Sequence, residues 1–311
     1  MKTRILTGAY LTIGLVLAFF SRMLTPYIFD VMFGILAVVG ACEVSKVMER
    51  ARNFNNTILV GTYPALLYTG FVIAINYGWQ WQYYLLLVVA LMALMFIVSF
   101  VLTMLLKKQT SREIAKYQVE DKKSVYALKK AINTSVILVY PTILFAAIFL
   151  LNHINSYSFG EQLVSTPFDY YLLLTVVLVT TFTDTFAMLI GSLLKGPKLC
   201  PVISPKKTIS GAVGGLLGGV LAAFIAYWLF TISPSFVTIF NEVASIWSVV
   251  LLGVIGSIIS QFGDIFASVL KRRAYVKDYG TLFPGHGGVM DRFDGFIWNA
   301  AFVFIFALIL L

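Results

Sequence analysis

Long apolar runs separated by short polar segments make up most of the 311-residue chain. A helix needs about 20 apolar residues to cross roughly 30 Å of hydrocarbon. The pattern predicts nine membrane-spanning helices, near residues 5–24, 26–44, 57–77, 83–106, 133–152, 169–193, 210–231, 245–266 and 294–311. We therefore expect an all-α, polytopic integral membrane protein. The first run lacks a small-residue cleavage site, so we expect a retained helix rather than a signal peptide.

Composition excludes an ordinary soluble domain, because 59% of the residues are hydrophobic and only 12% are charged.

The distribution of the basic residues predicts the orientation of the chain in the membrane. If the N-terminus lies inside, 22 of the 23 Lys and Arg residues fall in inner segments, and only Arg22 falls outside. Positive residues stay on the cytoplasmic side of a membrane. The asymmetry predicts a cytoplasmic N-terminus and a C-terminus on the outer side. We expect the membrane to be a bacterial-type cytoplasmic membrane.

The net charge of +9 therefore requires no nucleic-acid partner. A basic inner face instead attracts anionic membrane lipids. Cys42 and Cys200 lie far apart in the chain, so no disulfide or metal-cysteine motif is predicted.

The chain divides into three regions. Residues 1–106 form N-terminal transmembrane helices without evident chemistry, and Asp30 is expected to be a packed or interfacial carboxylate. Residues 107–132 hold eight basic and three acidic residues. They are either a solvated linker or an amphipathic helix on the inner leaflet, and we favour the surface helix. Residues 133–311 form the C-terminal transmembrane catalytic region. His153 stands alone in an outer loop of this region, and we expect it to be a surface histidine.

A first polar group lies in the sixth predicted span, in the stretch TTFTDTFAMLIG. Asp184 falls 11 residues before Lys195, so about 16 Å from the inner end of a helix. A carboxylate at that depth costs several kcal/mol unless it is paired or hydrated. Asp184 is therefore a functional candidate, although a buried aspartate bonded to neighbouring threonines is the alternative.

A second group, SPKKTISGAVGGLLGG, opens the seventh span. Ser204 can cap a helix whose first turn then holds Pro205, Lys206 and Lys207. Lysines at a helix N-terminus favour a docked anion such as a phosphate, although an inner-face anchor explains them as well. The glycines that follow, spaced four residues apart from Gly211 to Gly219, indicate close helix packing.

A third group ends the eighth span and continues to the start of the last, in GSIISQFGDIFASVLKRR and KDYGTLFPGHGGVMDRFDG. Ser260, Asp264, Ser268 and then Lys271 or Arg272 recur at three- and four-residue steps, which predicts one polar stripe on a helix. A glycine-rich loop follows, and the last helix is expected to place Asp291 and Asp294 on one face. Carboxylates gathered with bases suit Mg²⁺ together with phosphate groups. A structural salt-bridge network is the weaker alternative.

The stretch SVLKRRAYVKDYGTLFPGHGGVMDRFD, with the preceding QFGD and the upstream SPKKTISG, resembles the signature of phosphatidate cytidylyltransferases (CDP-diacylglycerol synthases). The resemblance covers the C-terminal half, whereas the N-terminal half agrees only in being hydrophobic. It implies transfer of the cytidylyl group from CTP to phosphatidic acid, giving CDP-diacylglycerol and pyrophosphate for phospholipid biosynthesis. It also implies a homodimer, which the glycine-lined seventh span allows, although the same glycines could pack helices within one chain.

With this chemistry, we expect Asp264 and Asp291 to ligate Mg²⁺, and Asp294 and Asp184 to support them or hold a second ion. These four aspartates and Lys271 are the expected catalytic residues. The expected phosphate-binding residues are Ser204, Lys207, Lys271, Arg272, Lys277, His286, Gly287, Gly288 and Arg292. The sequence leaves open whether one or two Mg²⁺ ions act and whether a monovalent cation joins them.

Four positions depart from the pattern of the family that the signature resembles: Met188, Ser192, Ile209 and Ser210. They bear on how the nucleotide base or the lipid headgroup is held. A membrane transporter and another Mg²⁺-dependent lipid-phosphate transferase are the alternatives. A transporter tends to show inverted repeats and a site near the membrane midplane. The sequence shows no repeat between its halves, and its charges lie at the inner rim.

Overall fold

The computed structural model describes residues 2–79, 81–116, 122–154 and 167–310. The helices of the N-terminal half are α1 (Lys2–Ser21), α2 (Pro26–Arg50), α3 (Thr57–Asn76), α4 (Trp81–Leu105), α5 (Lys107–Lys116), α6 (Lys123–Ile137) and α7 (Leu144–Asn152). Those of the C-terminal half are α8 (Pro167–Leu194), α9 (Ile209–Phe230), α10 (Pro234–Val243), α11 (Ile246–Arg273) and α12 (Met290–Leu310). A two-stranded antiparallel hairpin, β1 (Lys198–Cys200) and β2 (Ser204–Thr208), connects α8 to α9. The prediction of an all-α protein is confirmed.

Eight helices of the described residues are long and apolar enough to cross a membrane. One of them is the continuous stretch Lys123–Asn152, in which α6 and α7 are joined by a π-helical segment, Leu138–Ile143. The predicted first span, 5–24, overlaps α1, in which the described residues include a shorter apolar helix, Thr7–Ser21. The ninth span and the orientation of the termini therefore stay predictions.

Large apolar side chains face outward from the bundle. On α4, Leu86, Val89 and Ile97 are between 55% and 64% exposed. Contiguous apolar surface of this kind is rare on soluble proteins and is stable when lipid covers it. The protein is therefore an integral membrane protein.

The glycine pattern of α9 serves packing within the chain. A Cβ atom at Gly214 would lie 2.6 Å from Ile190 of α8, and one at Gly218 would lie 2.6 Å from Phe186. On the other face, a Cβ at Gly219 would overlap Ser257 of α11. Because only glycine leaves this space, α8, α9 and α11 lie in close contact and bring their ends together.

A buried polar cluster lies where the beginning of α2 meets the end of α7. His153 is 2% exposed, and its Nε2 lies 2.7 Å from Oδ2 of the fully buried Asp30. Asn152 donates to the other carboxylate oxygen at 2.7 Å, and Arg22 donates to the main-chain carbonyl of Asn152. The prediction of a packed Asp30 is confirmed. The prediction of a surface His153 was wrong, because its ring also packs edge-on against Phe71 inside the bundle.

The basic segment 107–132 comprises α5 and the beginning of α6, and residues 117–121 lie outside the described residues. Glu113 of α5 accepts hydrogen bonds from Tyr126 at 3.0 Å and from Lys130 at 2.8 Å, both on α6. These contacts join α5 to the end of the transmembrane bundle. An association of this segment with the inner leaflet stays a prediction.

Candidate active site

The hairpin before α9 differs from the expected helix start. Ser204, Pro205, Lys206 and Lys207 belong to strand β2, so the prediction that Ser204 caps the helix and that both lysines lie in its first turn was wrong. The helix begins at Ile209, and the Thr208 hydroxyl accepts a hydrogen bond from the main-chain nitrogen of Gly211 at 3.0 Å. Threonine is a good N-cap, and moving the start past the lysines keeps their charge away from the positive end of the helix.

A cavity of about 740 Å³ opens between the ends of α8, α9 and α11 and the hairpin. Its charged lining consists of Asp184, Lys195, Lys198, Lys206, Lys207 and Asp264. The rest of the lining is small, apolar or uncharged: Ala187, Met188, Gly191, Ser192, Gly196, Leu199, Thr208, Gly211, Ala212 and Gln261. The volume is in the range of small-molecule binding sites. Four lysines and two aspartates around one cavity suit a ligand that carries several negative charges.

One ion pair lies within this lining. The Lys207 ammonium is 2.7 Å from Oδ2 of Asp264, and both side chains are partly exposed to the cavity. Asp184, predicted as the functional acid of its span, lines the same cavity and is exposed to it. The structure therefore places Asp184, Lys207 and Asp264, which belong to three separate polar groups of the sequence, at one cavity.

A second ion pair involves Lys271, which lies about two turns, or roughly 10 Å of helix rise, beyond Asp264 on α11. Nζ of Lys271 donates to Oδ1 of Asp291 at 2.8 Å, and both side chains are largely buried. Lys271, the last member of the predicted polar stripe on α11, thus meets the first turn of α12. The Asp294 carboxyl lies within electrostatic range of both Asp264 and Lys271.

Asp291 also holds the glycine-rich loop, residues 274–289. Its Oδ2 accepts hydrogen bonds from the main-chain nitrogens of Tyr279 at 2.7 Å and Gly288 at 2.9 Å. Gly287 has a φ of +87°, and a Cβ there would lie 2.6 Å from the same carboxylate oxygen, so both conformation and space require glycine. Burial raises the pKa of Tyr279, whose hydroxyl donates to the Ala267 carbonyl on α11.

The other predicted phosphate ligands have different surroundings. Arg272 donates to the main-chain carbonyls of Ile203 and Val276, and Arg292 donates to that of His286 at 2.9 Å. Nδ1 of His286 is buried and has no hydrogen-bond partner within the described part of the chain. Lys277 is exposed. The two arginines thus donate hydrogen bonds to loop carbonyls around the site. A role in phosphate binding stays a prediction for Arg272, Arg292, His286 and Lys277.

Sequence reasoning missed Glu43 of α2. This buried residue accepts hydrogen bonds from the main-chain nitrogens of Val289 at 3.1 Å and Met290 at 3.0 Å, next to the amide that Asp291 holds. A signal existed in the sequence, because Glu43 is an acid inside a predicted span, as Asp184 is. The signal is weaker for Glu43, because it lies one residue from the predicted end of its span, whereas Asp184 lies about 16 Å deep.

The donor chemistry around the cavity fits a magnesium ion bound with a phosphorylated substrate. Within the described ranges, no group of three or more His, Cys, Asp or Glu residues is arranged to hold a metal ion without further ligands. Mg²⁺ usually takes only one or two protein carboxylates and completes its shell with water and substrate phosphates. Asp264 and Asp184 line one cavity and satisfy that requirement, and each carboxylate has several acceptor sites.

The four departures noted in the sequence lie at or beside the cavity. Met188 and Ser192 are part of its lining, and Ser210 donates from its hydroxyl to Thr208 at 3.2 Å. Ile209 begins α9 and is 47% exposed. These side chains contribute to the shape of the cavity and leave the charged pairs in place.

Comparisons with known proteins identify relatives of the chain. The chain is similar to proteins named phosphatidate cytidylyltransferase: 40% identical over 128 residues to that of Staphylococcus haemolyticus, 38% over 143 residues to that of Brucella abortus, and 37% over 139 residues to that of Rickettsia felis. The matches cover 41%, 46% and 45% of this chain and 45%, 49% and 60% of those relatives. The chain thus spans about half the length of the curated relatives it matches.

The match to a protein family is more extensive than these alignments. The sequence profile of the Cytidylyltransferase family matches residues 2–310, including the N-terminal half, whose resemblance to the family was limited to hydrophobicity. With nearly the whole chain matched, the protein belongs to the Cytidylyltransferase family.

Proposed function

We propose that the protein is a phosphatidate cytidylyltransferase, which makes CDP-diacylglycerol and pyrophosphate from CTP and phosphatidic acid. A phosphate oxygen of phosphatidic acid attacks the α-phosphorus of CTP. The bond from that phosphorus to the oxygen bridging the α- and β-phosphates breaks, and pyrophosphate leaves. The observation that carries the proposal is the cavity that Lys207, Asp264 and Asp184 line, beside the Lys271–Asp291 pair.

The phosphatidate oxygen is already anionic at neutral pH, so the reaction requires no strong general base. Its barrier includes repulsion between two anions, which fixed positive charge in a partly dry site lowers. Lys207 and Lys271 supply such charge, and their aspartate partners hold the ammonium groups in place before substrate arrives. Asp264 and Asp184, with Asp291 and Asp294 nearby, are the residues that would hold Mg²⁺. A bound Mg²⁺ ion would neutralise and align the phosphate oxygens.

The site is proposed to face the cytoplasm, where soluble CTP meets the lipid headgroup. The ends of α8 and α11 and the beginnings of α9 and α12 meet at the site, so these four ends lie on one side of the membrane. The positive-inside rule favours the cytoplasm for that side, since nine of the 22 inner basic residues lie between Lys195 and Arg292. The same rule supports nine spans with an outer C-terminus. A homodimer is proposed from the family resemblance alone, because the α9 glycines pack within the chain.

An assay on purified protein tests the function. Mixed micelles of phosphatidic acid and detergent receive CTP labelled at the α-phosphate and Mg²⁺, and label entering the lipid phase is followed over time. CDP-diacylglycerol with equimolar pyrophosphate is the expected result. Folded protein that incorporates no label would refute the proposal, and uptake of substrate by proteoliposomes without turnover of CTP would favour a transporter instead.

A further inference from the structure

Glu43 connects the N-terminal half of the protein to the site. It lies on α2, is 7% exposed, and is separated from Val289 by 246 positions in the sequence. None of the pairs described above, Lys207 with Asp264 and Lys271 with Asp291, includes a residue from this half. Through the Glu43 carboxylate, α2 contacts the glycine-rich loop.

The contact occupies a defined place in the loop. Three consecutive main-chain nitrogens at the start of α12 donate to two carboxylates: that of Gly288 to Asp291, and those of Val289 and Met290 to Glu43. The first amides of a helix have no partner within the helix. Negative charge at that end is favourable because of the helix dipole. Glu43 therefore stabilises the helix start that positions Asp291.

The loop is shaped around the Glu43 carboxylate. A Cβ atom at Gly280 or at Gly288 would overlap its oxygen atoms. Both glycines thus leave space for a side chain that reaches in from another part of the chain. The loop backbone therefore lies directly against the Glu43 carboxylate.

On these contacts we infer that Glu43 is a positioning residue for the reaction. It holds the start of α12, hence the Asp291 carboxylate and the Lys271 ammonium that Asp291 orients, while it touches neither substrate itself. The inference rests on the proposed function for its kinetic part, and the contact can be tested independently of activity. Misplacement of a catalytic group by about 1 Å can lower a rate roughly 100-fold.

The experiment compares Glu43→Gln with Glu49→Gln, a matched control on the same helix whose carboxylate accepts from Thr57 instead. Hydrogen exchange is followed in the peptide that carries Val289 and Met290. Loss of a charge-assisted bond should speed exchange there about 10- to 100-fold in Glu43→Gln. The control should match the wild type. Unchanged exchange in Glu43→Gln would overturn the inference.

Kinetics then separate positioning from plain stabilisation. For Glu43→Gln we expect kcat per folded molecule to fall about 100-fold while KM for CTP changes less than about threefold. Glu43→Asp, which keeps the charge on a shorter side chain, should recover part of kcat. A variant that lost thermal stability but kept the wild-type kcat per folded molecule would overturn the inference.

Two further outcomes are distinguishable. If Glu43→Gln does not fold, the wild type and Glu43→Asp still test the contact: exchange at Val289 and Met290 should be slow in the wild type and faster in Glu43→Asp. Rapid exchange in the wild type would overturn the inference. If the wild type makes no labelled lipid, the proposed function fails, while the exchange result still decides whether Glu43 holds the loop.

Discussion

Replacing Asp291 by asparagine tests the charge arrangement of the site most directly. The asparagine oxygen can still accept from the nitrogens of Tyr279 and Gly288, but its NH₂ group then faces the Lys271 ammonium, one donor against another. The Lys271 and Asp291 side chains are 12% and 4% exposed, so water screens this contact only weakly. Losing the charge-assisted bond should lower the free energy of unfolding by about 2–3 kcal/mol. A folded protein with about 5–15 kcal/mol of stability tolerates that loss.

Activity should fall much more than stability does. Removing a preorganised charged contact from a site costs about 100-fold or more in kcat. The assay is label transfer from CTP to lipid, run beside a thermal unfolding scan. Asp278→Asn is the control, because Asp278 is exposed in the same loop. If Asp291→Asn turned over near the wild-type rate at a lowered melting temperature, Asp291 would only stabilise the loop, and its assignment as a metal-binding acid would be wrong.

Three further results are expected. Lys207→Met should raise KM for CTP about tenfold or more, because a charge-assisted contact to phosphate is worth at least about 1.4 kcal/mol; an unchanged KM would remove Lys207 from the binding site. His153→Ala should lower the free energy of unfolding by about 3 kcal/mol, because it removes the His153 hydrogen bond to the buried Asp30 carboxylate, while kcat per folded molecule stays at the wild-type value; thermal scans and the lipid assay check both. EDTA should abolish label transfer and excess Mg²⁺ should restore it, whereas full activity in EDTA would exclude the metal.

The apolar pattern predicted the helices well because lipid imposes one physical requirement on all of them. The stripe on α11 was equally readable, since Asp264 and Lys271 lie on one helix and helical spacing relates them directly. The start of α9 could not be predicted from the sequence. Strand β2 exists only because it pairs with β1, and no local pattern in Ser204 to Thr208 reveals that pairing. Thr208 rather than Ser204 caps α9, because Ser204 belongs to the hairpin.

Glu43 and His153 illustrate a different limit. The partners of Glu43 are main-chain N–H groups, which every residue except proline carries, so its contact leaves no side-chain pattern to find. His153 contacts Asp30, which lies 123 positions away in the sequence. Without knowledge of that contact, the sequence around His153 indicates a histidine in an outer loop. Side chains that act across such separations become visible only when the helices are assembled.

The buried pair of Asp30 and His153 also constrains how the chain enters the membrane. At about 5–20 residues per second, the ribosome needs roughly 6–25 s to make the 123 residues between the two partners. During that interval the carboxylate on α2 lacks its histidine, and an unpaired charge in hydrocarbon costs several kcal/mol. Asp30 must therefore stay near water or the insertion machinery until α7 arrives. The contact between Asp30 and His153 can therefore form only after α2 through α7 have been made.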